Sequence, residues 1–351
     1  MQAANDCENN CGGKITLFNF LVMANTTLKR IAQVLDISIS TVSRALKNHP
    51  DISVLTKQKV MELAQTLEYE PNAMAVNLRS KNTKVFGIMI PSITNQFYDS
   101  FISAVEEEAR KSGYSLMILQ SADNPEAEVE NLKIYRQNRV SGIFACISQE
   151  TTNIIPFQKM KEADIPVVFF DKVPDDDSFN KVCLSDKEAA VLAAEALLEK
   201  GKKHILAIFG NEQLSITKRR LKAFRSTTEE NKKVRLVIEH AQSSKQAEEK
   251  TEQHFQKKQK PDAIFCMSDE ILTGTMKCLQ RMNVPWPKET GIISLSDGFF
   301  PKLYYPEITF IETSGYKLGK LAFERMMECL LGNTDAKEMF VTSRFVEGGS
   351  L

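Results

Sequence analysis

From Thr83 onward, short apolar runs alternate with amphipathic stretches, and this alternation limits the fold more than anything else in the chain. The runs fall in two series, at 85–90, 114–120, 141–147 and 167–171, then at 204–209, 234–240, 263–267 and 291–295. Between them lie stretches with helical spacing, for example 98–111, 187–200 and 270–282. Strands this short and this apolar have no face to turn to water, so the expectation is parallel sheets covered by helices on both sides. Two series in succession predict an α/β body of two doubly wound subdomains. Segment 308–314 should carry the chain back to the first subdomain, where helix 316–331 belongs, and a last strand near 340–345 should return to the second.

The residues before this body read differently. Leu28, Ile31, Ala32 and Leu35 recur at i, i+3, i+4 and i+7, one face of a helix. The turn Asp36-Ile37-Ser38 follows, and Ser38 is placed to cap a second helix. On that helix Val42 and Ala45 point back toward the first, while Ser40, Thr41 and Arg44 point out. Ser53 caps a third helix whose Val60, Leu63, Ala64 and Leu67 close a small core. Two short helices, one presenting a free polar face, have the layout of a helix-turn-helix that reads the DNA major groove.

The same stretch resembles the lactose/galactose repressor (LacI/GalR) family of bacterial transcription regulators. The matching marks are Ile31-Ala32, Thr41-Val42-Ser43-Arg44, Tyr69-Glu70-Pro71-Asn72, and Ala75 followed by Leu78-Arg79, and the likeness runs to about residue 347. Some positions depart from the family pattern. Arg30 replaces an acid, and Asp36 replaces a turn glycine, a change that aspartate tolerates better than most residues. Ala223 replaces a glycine, the chain is short between Phe224 and Val234, and Thr313 stands where glutamine is common.

The resemblance implies a reading head at 23–70, a hinge helix and linker at 71–83, and an effector-binding and dimerisation body at 84–351, similar to periplasmic sugar-binding proteins. On the head, Ile39, Ser40 and Arg44 take the base-reading face. Arg44 either forks onto guanine O6 and N7 or grips a phosphate. Ile39 either touches a thymine methyl or joins the head core, and Thr41 and Ser43 serve phosphate or the helix cap. In the hinge, Asn72, Ala75, Leu78 and Arg79 would enter the minor groove, with Leu78 either wedging between base pairs or packing in the linker. In the body the ligand should lie at the carboxyl ends of the strands. Phe97, Asp171, Arg220, Ser268 and Asp297 are its expected contacts. Each acid competes with a role as a helix N-cap, which suits Asp269 best, and Arg220 competes with an exposed salt bridge.

Composition sets bounds on these readings. The 351 residues suggest two or three domains, and 42% hydrophobic content suffices for their cores. The 45 basic and 45 acidic residues cancel. Residues 27–83, however, hold eight bases and five acids, an excess of three positive charges, so affinity for DNA should fall steeply with salt. The seven cysteines are scattered without zinc spacing, as expected for buried, reduced thiols. No phosphate loop, Gly-x-Gly-x-x-Gly or His-Glu-x-x-His occurs, and the four histidines at 49, 204, 240 and 254 are dispersed. The expectation is therefore no enzyme, no cofactor and no metal. The apolar run 15–24 is too short to span a membrane. Residues 1–22 read as an extension ahead of a start at Met23. With no heptad helix following the last strand, the expected assembly is a cytoplasmic, nucleoid-associated homodimer. It would bind double-stranded operator DNA, most simply as a repressor, under control of a small effector of the sugar class. The competing readings are a regulator answering to a partner protein and a solute-binding protein without a DNA role.

Overall fold

Thr27 accepts a hydrogen bond from the Arg30 amide at 3.4 Å and starts α1 (Leu28–Leu35). In this computed structural model, which describes residues 27–69, 83–148, 150–333 and 335–351, two units separate at the boundary between residues 81 and 82. α1 ends on Asp36, whose φ of 51° lies in the left-handed region. Ser38 then caps α2 (Ile39–Leu46) through the Thr41 amide at 3.0 Å, and Ser53 caps α3 (Val54–Thr66) through the Thr56 amide at 3.2 Å. Isolated helices this short are marginal in water. Here Ile31, Ala32, Val42, Ala45, Val60 and Ala64 are buried together, with Leu63 and Leu67 packed on their edge.

The second unit contains two six-stranded sheets. The first is built from β1 (Val85–Ile90), β2 (Ser115–Gln120), β3 (Gly142–Ala145), β4 (Val167–Phe170) and β5 (Asn180–Leu184), joined by β11 (Glu338–Val341), in the order β11-β5-β4-β3-β1-β2. The second is built from β6 (His204–Phe209), β7 (Arg235–His240), β8 (Ala263–Cys266), β9 (Gly291–Ser296) and β10 (Thr309–Glu312), joined by β12 (Arg344–Val346), in the order β12-β10-β9-β8-β6-β7. Every described pairing is parallel except β10 with β12. The central strands β1, β3, β4, β6, β8 and β9 are almost wholly buried, which explains their unbroken apolar character.

The helices covering the first sheet include α4 (Gln96–Lys111), α5 (Pro125–Gln137) and α6 (Ile155–Glu162). Those of the second include α7 (Asp186–Glu199), α8 (Ser215–Glu229), α9 (Ser244–Phe255) and α10 (Asp269–Arg281). After β10 the chain returns to the first subdomain as α11 (Gly315–Leu330), which packs along α4. The two backbones approach closely because of glycine: a Cβ on Gly315 would sit 2.3 Å from the Phe97 carbonyl oxygen, and one on Gly319 would sit 2.6 Å from that of Phe101. Phe101 in turn stacks on Phe170 with centroids 3.7 Å apart.

The ends of the chain differ from expectation. One strand was expected at 340–345, returning to the second subdomain. Instead β11 adds to the first sheet beside β5, and β12 adds to the second beside β10. The segment thus serves both sheets in turn, which an apolar pattern alone does not reveal. β5 was not anticipated because it opens with Asn180 and Lys181, although both are buried. Asn180 is satisfied there, accepting from Arg325 Nε at 2.7 Å and from the Lys337 amide at 3.1 Å.

Candidate operator and ligand sites

Helix α2 presents the polar face that its spacing called for. Ile39 is 48% exposed, Ser40 and Arg44 are exposed, and Thr41 and Ser43 are half-buried. Ile39 therefore lies outside the buried core of the head. The Ser38 hydroxyl lies 2.7 Å from that of Ser40 and 2.8 Å from that of Thr41, so the three form one network at the start of the helix. Arg44 sits 3.9 Å from Asp51, whose carboxylate also lies 3.3 Å from His49 Nδ1. Such exposed pairs contribute little, and DNA can displace Asp51 at small cost. Asn72, Ala75, Leu78 and Arg79 lie outside the described residues.

In the body, a cavity of about 740 Å³ opens between the two subdomains. Its walls come from the segments that follow β1, β2, β4, β6, β7, β8, β9 and β10, that is, from the carboxyl ends of the strands. Phe97, Asp171, Arg220, Ser268 and Asp297 all line it, as does Thr313.

Asp171 closes β4 in the left-handed region, with φ of 59°. Its Oδ2 accepts from the Tyr98 hydroxyl at 2.9 Å and from the Cys146 thiol at 3.8 Å. Burial raises its pKa above the ordinary aspartate value, outweighing the pull of Lys172, Tyr98 and Arg220. Burial and the adjacent carboxylate keep Tyr98 protonated, hence a donor.

Arg220 is only 5% exposed, so its ion pair is buried and is not the exposed salt bridge that its place on a helix also allowed. Nε and one terminal nitrogen lie 3.0 and 2.9 Å from Asp186 Oδ1, while Arg219 binds the other oxygen at 2.8 Å. Arg220 Nη1 reaches the Met267 carbonyl at 3.5 Å. A guanidinium carries five N–H donors, so the edge away from Asp186 keeps hydrogens for a ligand. Asp186, which holds Arg220 in place, is a residue that the sequence did not single out. Its signal was an acid in the first turn of a helix, which passes for ordinary dipole compensation.

The N-cap expected of Asp269 falls to Ser268, and both residues line the cavity. Ser268 is the N-cap of α10, accepting from the Ile271 amide at 3.4 Å, and Asp269 is the first helical residue. Asp269 Oδ2 accepts from the Asp297 amide at 3.4 Å, whereas its Oδ1 is buried without a partner. Burial pushes its carboxyl up to about 6. Asp297 is not a helix cap for its own segment but a link between subdomains: standing after β9, it accepts from the Ser100 hydroxyl in α4 and from the Gly315 amide at 2.8 Å. Its carboxyl is also raised by burial.

A family profile described as "Periplasmic binding proteins and sugar binding domain of LacI family" matches residues 83–347, and one described as "Bacterial regulatory proteins, lacI family" matches residues 27–72. The chain belongs to the LacI family. It is a DNA-binding transcription regulator with a sugar-binding-type body. Among its relatives, the HTH-type transcriptional repressor PurR of Vibrio atlanticus is 26% identical, over 90% of this chain and 95% of that protein. The ribose operon repressor of Halalkalibacterium halodurans is 27% identical, over 85% of this chain and 88% of that protein. A lac repressor dimer bound to operator and the anti-inducer ONPF shares the fold, with a TM-score of 0.83 at 20% identity, covering 93% of this chain and 99% of that one. A periplasmic binding protein/LacI regulator from Alkaliphilus metalliredigens complexed with D-xylulofuranose matches at 26% identity with a TM-score of 0.65, over 76% of this LacI-family chain and 99% of that one.

Among the described residues, no helix is long and apolar enough to cross a membrane, and no His, Cys, Asp and Glu side chains group as a metal site. The five cysteines described are free and buried.

Proposed function

We propose that this regulator represses transcription as a homodimer, placing two heads on a near-palindromic operator about one helical turn, roughly 34–36 Å, apart. The observation that carries this reading is the pairing, in one chain, of an outward polar recognition helix bearing Arg44 with a cavity lined by hydrogen-bonding groups from both subdomains. Ile39, Ser40 and Arg44 read bases, with Thr41 and Ser43 serving phosphates. Asn72, Ala75, Leu78 and Arg79 add minor-groove contacts once two copies pair, and Leu78 wedges the duplex open.

The effector is a small polyhydroxylated molecule of the sugar class. Phe97 walls one face of it, Asp171 accepts from its hydroxyls, and the free edge of Arg220 donates to neighbouring oxygens. Asp297 gives the cavity a means of reporting occupancy. Its carboxylate ties the second subdomain to α4 and α11 of the first, so a ligand that draws on Asp297 or on its neighbour Asp269 shifts the balance between two subdomain arrangements. Coupling of this kind is typically about 1–3 kcal/mol. The subdomain angle then sets whether the two hinges can pair.

The test is operator binding by Arg220→Ala with and without effector. Loss of the ligand response supports the assignment, and a full response retained by the variant ends it. Leu78→Ala should reduce the bend in bound DNA, measured by the mobility of circularly permuted duplexes. An unchanged bend removes the wedge.

A further inference from the structure

The charges around the cavity do not balance. Both cations that line it already have partners: Lys172 Nζ lies 2.7 Å from Asp123, and Arg220 is held by Asp186 at 2.9 Å. Arg219 shares Asp186, so that triad keeps one positive charge. Against it stand Asp171, Asp269, Asp297 and the exposed Glu270, which leaves three negative charges in excess.

The hydrogen bonds to the three aspartates all come from neutral donors, and Lys172 and Arg220 act on Asp171 only through space. Asp171 has the Tyr98 hydroxyl and the Cys146 thiol, Asp297 has the Ser100 and Ser314 hydroxyls and the Gly315 amide, and Asp269 has the Asp297 amide with the Ser296 hydroxyl close by. A carboxylate withdrawn from water is costly until a cation or a full set of donors reaches it. A phosphate entering this space would meet like charge at short range, whereas an ammonium would meet the opposite charge.

Asp171 is the natural anchor. Its Oδ1 receives no hydrogen bond from a described residue, while Tyr98 fixes the carboxylate from the other side.

We propose that the cleft is built for a polyhydroxylated ligand bearing a protonated amine, anchored on Asp171, and that it discriminates against phosphorylated or carboxylated forms. This deepens the reading of the cleft as the effector site and rests on it. The ammonium replaces donors that the aspartates lack, and Arg220 remains available to the hydroxyls.

The experiment is calorimetric titration of the full chain, in amine-free buffer at neutral pH, with three matched sets: D-glucose, D-galactose and D-mannose, their 2-amino-2-deoxy analogues and their 6-phosphates. The expected result is that at least one amino sugar binds about tenfold or more tightly than both its neutral parent and its phosphate. Its affinity should fall as sodium chloride screens the charge. Asp171→Asn should erase the preference while its circular dichroism melt stays cooperative; if that variant unfolds, the salt dependence of the unmodified protein decides. The proposal is overturned if a neutral or phosphorylated member binds as tightly as its amino analogue, or if no amino sugar binds. A neutral hexose or sugar phosphate that binds at least as tightly as its amino analogue and alters operator affinity leaves the regulator reading standing while ending this one. Protein that ignores duplex DNA ends the regulator reading instead.

Discussion

Arg44 and Asp269 show how single side chains are set to work. Arg44 projects from α2, exposed, and its ion-pair partner among the described residues is the exposed Asp51. Arg44→Ala should cost about 1–3 kcal/mol against the preferred operator and relax discrimination at one base pair. Competition binding against single-base operator variants reads this directly, and a uniform loss across all variants would make Arg44 a phosphate contact. Asp269 titrates near 6 in the folded protein against an ordinary value of 3.8. Between those values the folded protein holds a proton that the unfolded chain has released, so stability should fall as pH rises from about 4 to about 6. Asp269→Asn removes that loss, and its advantage at pH 7 should be about 3 kcal/mol, with a flatter profile in urea titrations at pH 4, 5, 6 and 7. A variant with the same pH profile as the parent would mean that Asp269 is charged and well served. Neither the orphan oxygen nor the buried pairing of Arg220 with Asp186 could be read from residue order, because both depend on which side chains the fold desolvates.

Elements are held by caps and close approaches that differ in how visible they are in sequence. Ser38 and Ser53 stand where a cap should be, followed by helical spacing, and both caps form as expected. Ser38→Ala should cost about 1 kcal/mol in the stability of the head, visible in a thermal melt followed at 222 nm. The contact of α4 with α11 was hidden. Gly319 looks like an ordinary weak helix residue until the partner backbone is known, and then it becomes the reason the helices can meet. Gly319→Ala should destabilise the body by roughly 1–3 kcal/mol, and an unchanged unfolding midpoint would show that Phe101 yields without strain. The central strands were legible because burial on both faces leaves no polar positions. β5, with its buried Asn180 and Lys181, was not, since Asn180 is satisfied by Arg325 and Lys337, both distant in sequence, and Lys181 by Asp177 just ahead of the strand.

For the whole molecule, zero net charge conceals a division of labour: the head and hinge together carry the positive excess that draws them to DNA, and the cleft carries a negative one. The two-subdomain architecture could be anticipated from two series of short apolar runs, and the site followed, since ligands of such folds lie at the strand ends. The sharing of residues 338–346 between both sheets could not be anticipated, because an edge strand pairs with whichever sheet tertiary packing offers it. The central claim, that two outward-facing heads read a symmetric site, is tested most directly by selecting bound sequences from a pool of random duplexes with the full-length protein at moderate salt. The account predicts enrichment of a near-palindrome whose half-site centres lie about 10 base pairs apart. Recovery of no shared sequence, or of a lone half-site without symmetry, would contradict it.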